Sequence, residues 1–184
     1  MAEPRPTPSQ TVGPFFAVAL PYEGGAELVA PDDQDAVRIE GRVLDGDGAP
    51  LDDALVEIWQ ANRHGRYAHP DDTREEIPLE PDFTGFGRCP TDADGRFAFA
   101  TVKPGPVPPQ APHIDVSVFA RGLLKRVVTR IYFPDEQEAN AADPVLASIE
   151  PQSRRETLVA AETGGALLFD IHLQGDSETV FFDV

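Results

Sequence analysis

Prolines and glycines place the strongest limit on how this chain can fold, because 19 of its 184 residues are proline and 15 are glycine. Proline removes a backbone donor and breaks helix interiors, and glycine marks turns. The segments between these residues are therefore short. Short segments bounded by turn residues favour strands over long helices.

Several of these segments alternate apolar and polar side chains, as strands with one buried face do. Val37, Ile39 and Val43 alternate with charged residues, and Asp45-Gly46-Asp47-Gly48 then predicts a turn. Residues 134–137 resemble a helical first turn, but Pro144 keeps any helix there short. Further strands are predicted at residues 54–60, 96–100, 114–119, 126–133, 166–173 and 179–182.

The number and spacing of these strands predict an all-β fold, an antiparallel β-sandwich with long loops and at most short helices. No internal repeat marks a second domain, so residues 1–184 are expected to form a single domain. The N-terminal arm up to Tyr22 is rich in apolar residues. Such an arm must cover either its own core or the surface of a neighbour.

The chain is strongly acidic, with a formal net charge of −17. This charge argues against nucleic acid or an anionic membrane as a partner, and an anionic substrate would need a specific Arg or Lys. Cys89 is the only cysteine, so no internal disulfide can form. No stretch approaches the roughly 18 apolar residues of a membrane span. The expected location is the cytoplasm.

His113 and Asp115 form a His-x-Asp pattern that places both side chains on one face of a predicted strand. Tyr67 is a third candidate ligand. These three residues agree either with a weak metal site or with ordinary hydrogen bonding in the fold. The sequence holds no nucleophile motif of the Gly-x-Ser-x-Gly type and no phosphate-binding glycine loop.

Five stretches of the sequence, covering most of the chain, together resemble the intradiol aromatic-ring dioxygenases. The resemblance implies a β-sandwich and the opening of a catechol ring by O2 between its two hydroxyl carbons. A non-enzymatic binding module of transthyretin-like type is the alternative, but it lacks the signature from Lys103 to His113. The stretches are Thr7-Pro8-Ser9-Gln10-Thr11-Val12-Gly13-Pro14-Phe15, Val56-Glu57-Ile58-Trp59-Gln60-Ala61-Asn62 with Gly65-Arg66-Tyr67, residues 85–114 including Lys103-Pro104-Gly105-Pro106 and Pro112-His113-Ile114, residues 154–158, and residues 175–183.

The family's catalytic chains hold Fe(III) with two tyrosinates and two histidines, which suit a hard ferric ion. Tyr67 matches the first tyrosine and His113 the first histidine. Val107 stands in place of the second tyrosine, and Asp115 in place of the second histidine on the His-x-His strand. The loop between Val107 and His113 is also shorter than expected in a catalytic chain. The resemblance therefore implies an iron-free α-type chain that works beside a homologous catalytic β chain, which holds the Fe(III).

The same resemblance implies that this chain lines one wall of the partner's pocket, where the substrate is protocatechuate, a catechol with a ring carboxylate. An arginine there would offset the repulsion between this anion and an acidic protein. Two simpler readings remain open, a surface role for Arg121 and ordinary packing for Phe15. Residues 1–22 are expected to pack on the partner chain, and the implied wall residues are Thr11, Gly13, Pro14, Phe15 and Arg121.

Overall fold

The protein is described by a computed structural model that covers residues 8, 10, 11, 13, 15–30 and 32–184. Short strands dominate these residues, and the helices are brief. The strands are β1 (Ala36–Leu44), β2 (Leu55–Trp59), β3 (Phe86–Pro90), β4 (Arg96–Val102), β5 (His113–Phe119), β6 (Val127–Tyr132), β7 (Ala161–Thr163), β8 (Ala166–Leu168) and β9 (Ile171–His172). The helices are α1 (Phe16–Ala19), α2 (Gln137–Ala142) and α3 (Pro144–Ala147), and Gln152–Leu158 forms a 3₁₀ helix.

The strands form two sheets that face each other across one apolar core. One sheet has the order β4-β1-β8-β7, with β9 also paired to β1, and the other has the order β3-β2-β5-β6. Ile39 and Phe99 from the first sheet meet Ile58, Ile114 and Val116 from the second, all at most 1% exposed. This arrangement confirms the predicted all-β fold built from two layers with short helices.

The first sheet is mixed, which the sequence pattern did not indicate. β1 pairs antiparallel with β4 but parallel with β8 and β9. The single strand predicted at residues 166–173 is divided, because Asp170 turns its carboxylate back to accept the backbone N–H of Arg42 at 2.9 Å. Gly41 is required opposite this break, since a Cβ there would lie 1.9 Å from the Phe169 carbonyl oxygen.

Two other local predictions were wrong. Residues 179–182 form only an isolated bridge between Phe182 and Val128, because threonine hydroxyls take up the neighbouring backbone groups. The hydroxyl of Thr129 donates to the Val180 carbonyl at 2.8 Å, and the hydroxyl of Thr157 accepts the Val180 N–H at 3.2 Å. The helix expected from residue 134 begins only at Gln137.

Pro144 limits helix length as predicted. It is the first residue of α3, and the carboxylate of Asp143 caps that helix by accepting the N–H groups of Val145 and Leu146. None of the helices among the described residues has the length and apolar character needed to cross a membrane.

Candidate functional site

The candidate site lies on the outer face of the four-stranded sheet, where β2, β5 and β6 present polar side chains. Ile114 and Val116 of β5 point into the core, so the alternation of the strand turns His113 and Asp115 to the other face. Asp115 stands opposite Trp59 on β2 and opposite Arg130 on β6. The strand register therefore aligns Trp59, Asp115 and Arg130 in one row across the sheet, and this row forms the base of the site.

His113 is buried, and its ring is fixed at one nitrogen. Its Nδ1 lies 2.7 Å from the Ala111 carbonyl oxygen, which can only accept, so Nδ1 carries the proton and donates. Its Nε2 faces the Asp115 carboxylate at 3.9 Å. Burial lowers the pKa of His113, and the charge of Arg130 lowers it further. The imidazole is therefore neutral at pH 7.

Tyr67 enters the site from the loop after β2. Its ring stacks on Trp59, with centroids 6.0 Å apart and planes 13° apart. Glycine is needed at position 65 for the backbone of this loop to reach the site. Gly65 has a φ of +87° and lies against the Pro106 carbonyl oxygen, which would be 2.3 Å from a Cβ. Burial, with a contribution from the charge of Asp115, raises the pKa of Tyr67 to about 12. The phenol is therefore protonated at neutral pH.

Val107 lines the same cavity as Tyr67, which has a volume of about 640 Å³ and also includes Trp59 and Pro108. A tight turn follows, in which the N–H of Gln110 donates to the Val107 carbonyl at 2.9 Å. The loop that leads from Val107 to His113 is thus compact. Of the four ligand positions implied by the resemblance, Tyr67 and Val107 line this cavity, whereas His113 and Asp115 lie on β5, where Asp115 pairs with Trp59, another lining residue.

Arg130 is the member of this site that the sequence reasoning missed. Its Nε donates to Asp115 Oδ1 at 2.8 Å, and its Nη1 donates to Gln110 Oε1 at 2.7 Å. The signal was present in the sequence, because a hairpin turn centred on Gly122 and Leu123 places position 130 opposite position 115.

The residues at these four positions do not fit Fe(III). Val107 has no donor atom, and the carboxylate of Asp115 is already paired with the guanidinium of Arg130. Within the part of the chain that the structure describes, no group of three or more His, Cys, Asp or Glu side chains is placed to hold a metal ion.

Arg121 lies at the other end of β5, in the hairpin turn that leads to β6, and so is not part of the group around His113. Its side chain is 61% exposed and forms an ion pair with Asp53. The hairpin bends at Gly122, which has a φ of +86°.

The N-terminal arm is held to the edge strand β3 but presents apolar side chains outward. Arg88 donates to the Leu20 carbonyl at 2.9 Å and lies over the Tyr22 ring. Phe15 is 80% exposed, whereas its neighbour Phe16 is buried. Of the other predicted wall residues, Thr11 is exposed, Gly13 is half-buried with a φ of +71°, and Pro14 lies outside the described residues.

Residues 12–175 match a family model described as Dioxygenase. The chain is 45% identical to the protocatechuate 3,4-dioxygenase alpha chain of Burkholderia cepacia, over 98% of both chains. It is 39% identical to the beta chain of the same enzyme from that organism, over 84% of this chain and 77% of the relative.

A solved structure with a similar fold is the dioxygenase domain of a dioxygenase carbohydrate-binding protein fusion from Streptomyces sp. SirexAA-E. The TM-score is 0.58 and the identity 27%, over 93% of this chain and 99% of that chain. These matches confirm the resemblance inferred from the motifs and do not favour the transthyretin-like alternative. The chain belongs to the intradiol dioxygenase family.

Proposed function

We propose that this chain is the iron-free α subunit of a protocatechuate 3,4-dioxygenase, and that a homologous β chain holds the Fe(III). Membership of the family implies iron. The observation that carries the assignment is the degenerate ligand set, in which Val107 replaces a donor and Asp115 is committed to Arg130. The strong match to an alpha chain over nearly the full length supports the same conclusion.

The reaction proposed for the complex is the cleavage of protocatechuate by O2 to 3-carboxy-cis,cis-muconate. The bond between the two hydroxyl-bearing ring carbons breaks, and each of these carbons receives one oxygen atom of O2 and becomes a carboxyl carbon. The partner's ferric iron supplies the chemistry that lets the catechol react with O2. This chain would contribute a contact to the substrate and one wall of the pocket.

Arg121 is the proposed substrate contact. Its exposed guanidinium is available to a neighbouring chain, and its pairing with Asp53 holds it in place. A chain with a net charge of −17 repels an anionic substrate at long range. A fixed guanidinium that faces the ring carboxylate would offset this repulsion locally.

The N-terminal arm, residues 1–22, is the proposed interface with the β chain, and Thr11, Gly13, Pro14 and Phe15 would lie beside the partner's iron site. Val18 is 81% exposed, and Leu20 and Tyr22 are also exposed. A cluster of exposed apolar side chains is typical of permanent interfaces, which are large and apolar. The rest of the chain would form one β-sandwich domain of a cytoplasmic enzyme with no nucleic-acid or membrane partner.

Purification with and without an intradiol β chain tests this function. We expect the chain alone to hold no stoichiometric iron and to lack the visible absorption of a tyrosinate–iron bond, and the co-purified complex to cleave protocatechuate. A coloured, iron-loaded chain that cleaves catechols by itself would instead favour an independent metal enzyme that uses the weak metal site of Tyr67, His113 and Asp115.

A further inference from the structure

Arg130 is held as a fixed cation beside Asp115, and its charge also acts on His113 and Tyr67. Its guanidinium donates to Asp115 and Gln110 and lies 3.4 Å from the Tyr132 hydroxyl. The ring of Phe182 covers it at 5.8 Å from the centroid. With its side chain only 18% exposed, this guanidinium has little freedom to move away.

The Asp115 carboxylate lies between this cation and His113. One oxygen is 2.8 Å from Arg130 Nε, and the other is 3.9 Å from His113 Nε2. A metal ion that bound Asp115 and His113 together would stand close to a fixed positive charge. It would also have to compete with the guanidinium for the only carboxylate among the four ligand positions. Both effects oppose metal binding because the site is largely shielded from water.

The acidity of the chain makes these two effects against metal binding important. A net charge of −17 concentrates divalent cations near the protein surface. The His113 imidazole and the Asp115 carboxylate lie 3.9 Å apart, and the phenol of Tyr67 is near enough for the charge of Asp115 to raise its pKa. Such a group would then be open to adventitious metal, since imidazole and carboxylate are common ligands of zinc and cobalt.

We propose that Arg130 takes the place of the metal's positive charge and thereby keeps the Tyr67–His113–Asp115 cluster metal-free. The guanidinium neutralises the carboxylate from within the chain, so the site stays folded without an ion. Once the guanidinium is removed, the same three side chains should accept a divalent cation in its place. This inference concerns the chain itself and does not depend on the identity of the substrate.

The test is Arg130→Met in the full chain, titrated with Co²⁺ and followed by the visible absorption of bound cobalt. Methionine keeps the apolar stem over Phe182 but carries no charge. We expect Co²⁺ to bind roughly 10- to 100-fold more tightly than to the unaltered chain, the range by which groups that contact a metal ligand alter metal affinity. Thermal unfolding with and without Zn²⁺ should show stabilisation only in the variant.

Arg88→Met is the matched control. Arg88 is paired across strands with Glu57 on the same sheet and is similarly shielded, at 21% exposure. This variant also leaves a carboxylate without its partner, but no histidine stands beside that carboxylate, so no gain in Co²⁺ affinity is expected. The double variant Arg130→Met, Asp115→Asn should lose the gain, because the carboxylate ligand is gone.

Equal Co²⁺ affinity in the Arg130→Met variant and the unaltered chain would overturn the proposal. A gain that survives the loss of the Asp115 carboxylate would do the same, because the metal would then lie elsewhere. If Arg130→Met does not fold without metal, the proposal requires that Zn²⁺ restore folding, as judged by circular dichroism. A variant that stays unfolded with Zn²⁺ present contradicts it.

Discussion

The carboxylate of Asp72 accepts the backbone N–H of Tyr67 at 2.9 Å and so anchors the loop that carries the tyrosine. The same carboxylate binds the guanidinium of Arg74, which also donates to the Gly65 carbonyl at 2.9 Å. Asp72 thus ties both ends of the Gly65–Tyr67 turn to one ion pair. The position of Tyr67 against Trp59 depends on this connection.

These contacts predict how stability depends on pH. The hydrogen bonds from Arg74, and then the N–H of Tyr67, hold the pKa of Asp72 well below its usual range. A carboxyl with a depressed pKa in the folded state stabilises the protein fully above its unfolded-state pKa, and this contribution is lost as pH falls further. The contribution of Asp72 should therefore be complete above about pH 5 and decline below about pH 4.

Asp72→Asn should lower the free energy of unfolding at pH 7 by about 1.5–3 kcal/mol, as expected for hydrogen bonds to a charged group. Urea unfolding at a series of pH values should show this difference shrinking below pH 4. Glu75→Gln, on the exposed part of the same loop, is the control and should change stability little. A difference between Asp72→Asn and the unaltered chain that stays constant down to pH 2 would contradict the account.

A second prediction concerns restoration of the ligand set. Val107→Tyr with Asp115→His supplies the four side chains of a catalytic chain, yet we expect no efficient iron enzyme. Ligands need placement to within about 0.5 Å with supporting contacts. The compact turn from Val107 to Gln110 remains, and Arg130 loses its carboxylate and stays as an unpaired cation.

Iron content and visible absorption of this double variant provide the measurement, with the unaltered chain as the reference. Adding Arg130→Met to the pair is the informative comparison, because it removes the charge but not the compact turn. Turnover of the double variant near that of the whole α/β complex would contradict this prediction, because it would show that the chain lacked only the two ligand side chains.

The sequence predicted the strands with clear alternation and missed those whose boundaries depend on contacts from distant residues. β1 is a case of the first kind, since its apolar residues face the core as expected. β3 was missed because Phe86–Pro90 contains glycine and proline and is defined by its pairing with β2. The break at Asp170 depends on a hydrogen bond to Arg42, which is 128 positions away in the chain.

The candidate site shows the same division. Motif resemblance grouped Tyr67, Val107, His113 and Asp115. The structure places Tyr67 and Val107 at one cavity and His113 beside Asp115 on β5, and their role as former ligand positions stays a prediction. Arg130 belongs to no quoted motif, so only the β5–β6 register reveals it. Whether Arg121 and the arm line the partner's pocket stays a prediction, because those contacts lie between chains.

A third prediction addresses the arm. Phe15→Ala should weaken assembly with the β chain, because large aromatic side chains at the centre of an interface commonly contribute 2 kcal/mol or more, about thirtyfold in affinity. Phe15 is 80% exposed within its own chain, so the folding stability of the isolated chain should change little.

Analytical size-exclusion chromatography over a dilution series measures the assembly. Leu168→Ala is the matched control, since this exposed apolar side chain lies on β8 of the five-stranded sheet, whereas the arm is held to β3 of the other sheet. Equal dissociation of both variants, or none in either, would mean that the arm does not carry the interface.

The last prediction concerns Arg121, whose role decides whether this chain contacts the substrate or has only a structural function in the complex. In the assembled complex, Arg121→Ala should leave iron content and assembly intact but lower kcat/KM for protocatechuate. An interaction between a guanidinium and a partly buried carboxylate contributes roughly 1.5–3 kcal/mol, or about ten- to a hundredfold in rate. Asp53→Ala, which removes only the intrachain partner, should have a smaller effect.

The ratio of kcat/KM for protocatechuate to kcat/KM for catechol, measured before and after Arg121→Ala, tests the central claim most directly. Catechol has no ring carboxylate, so its turnover should fall much less, and the ratio should drop by about tenfold or more. An unchanged ratio, with both substrates affected equally or not at all, would contradict the claim that this chain supplies a substrate contact to its partner's active site.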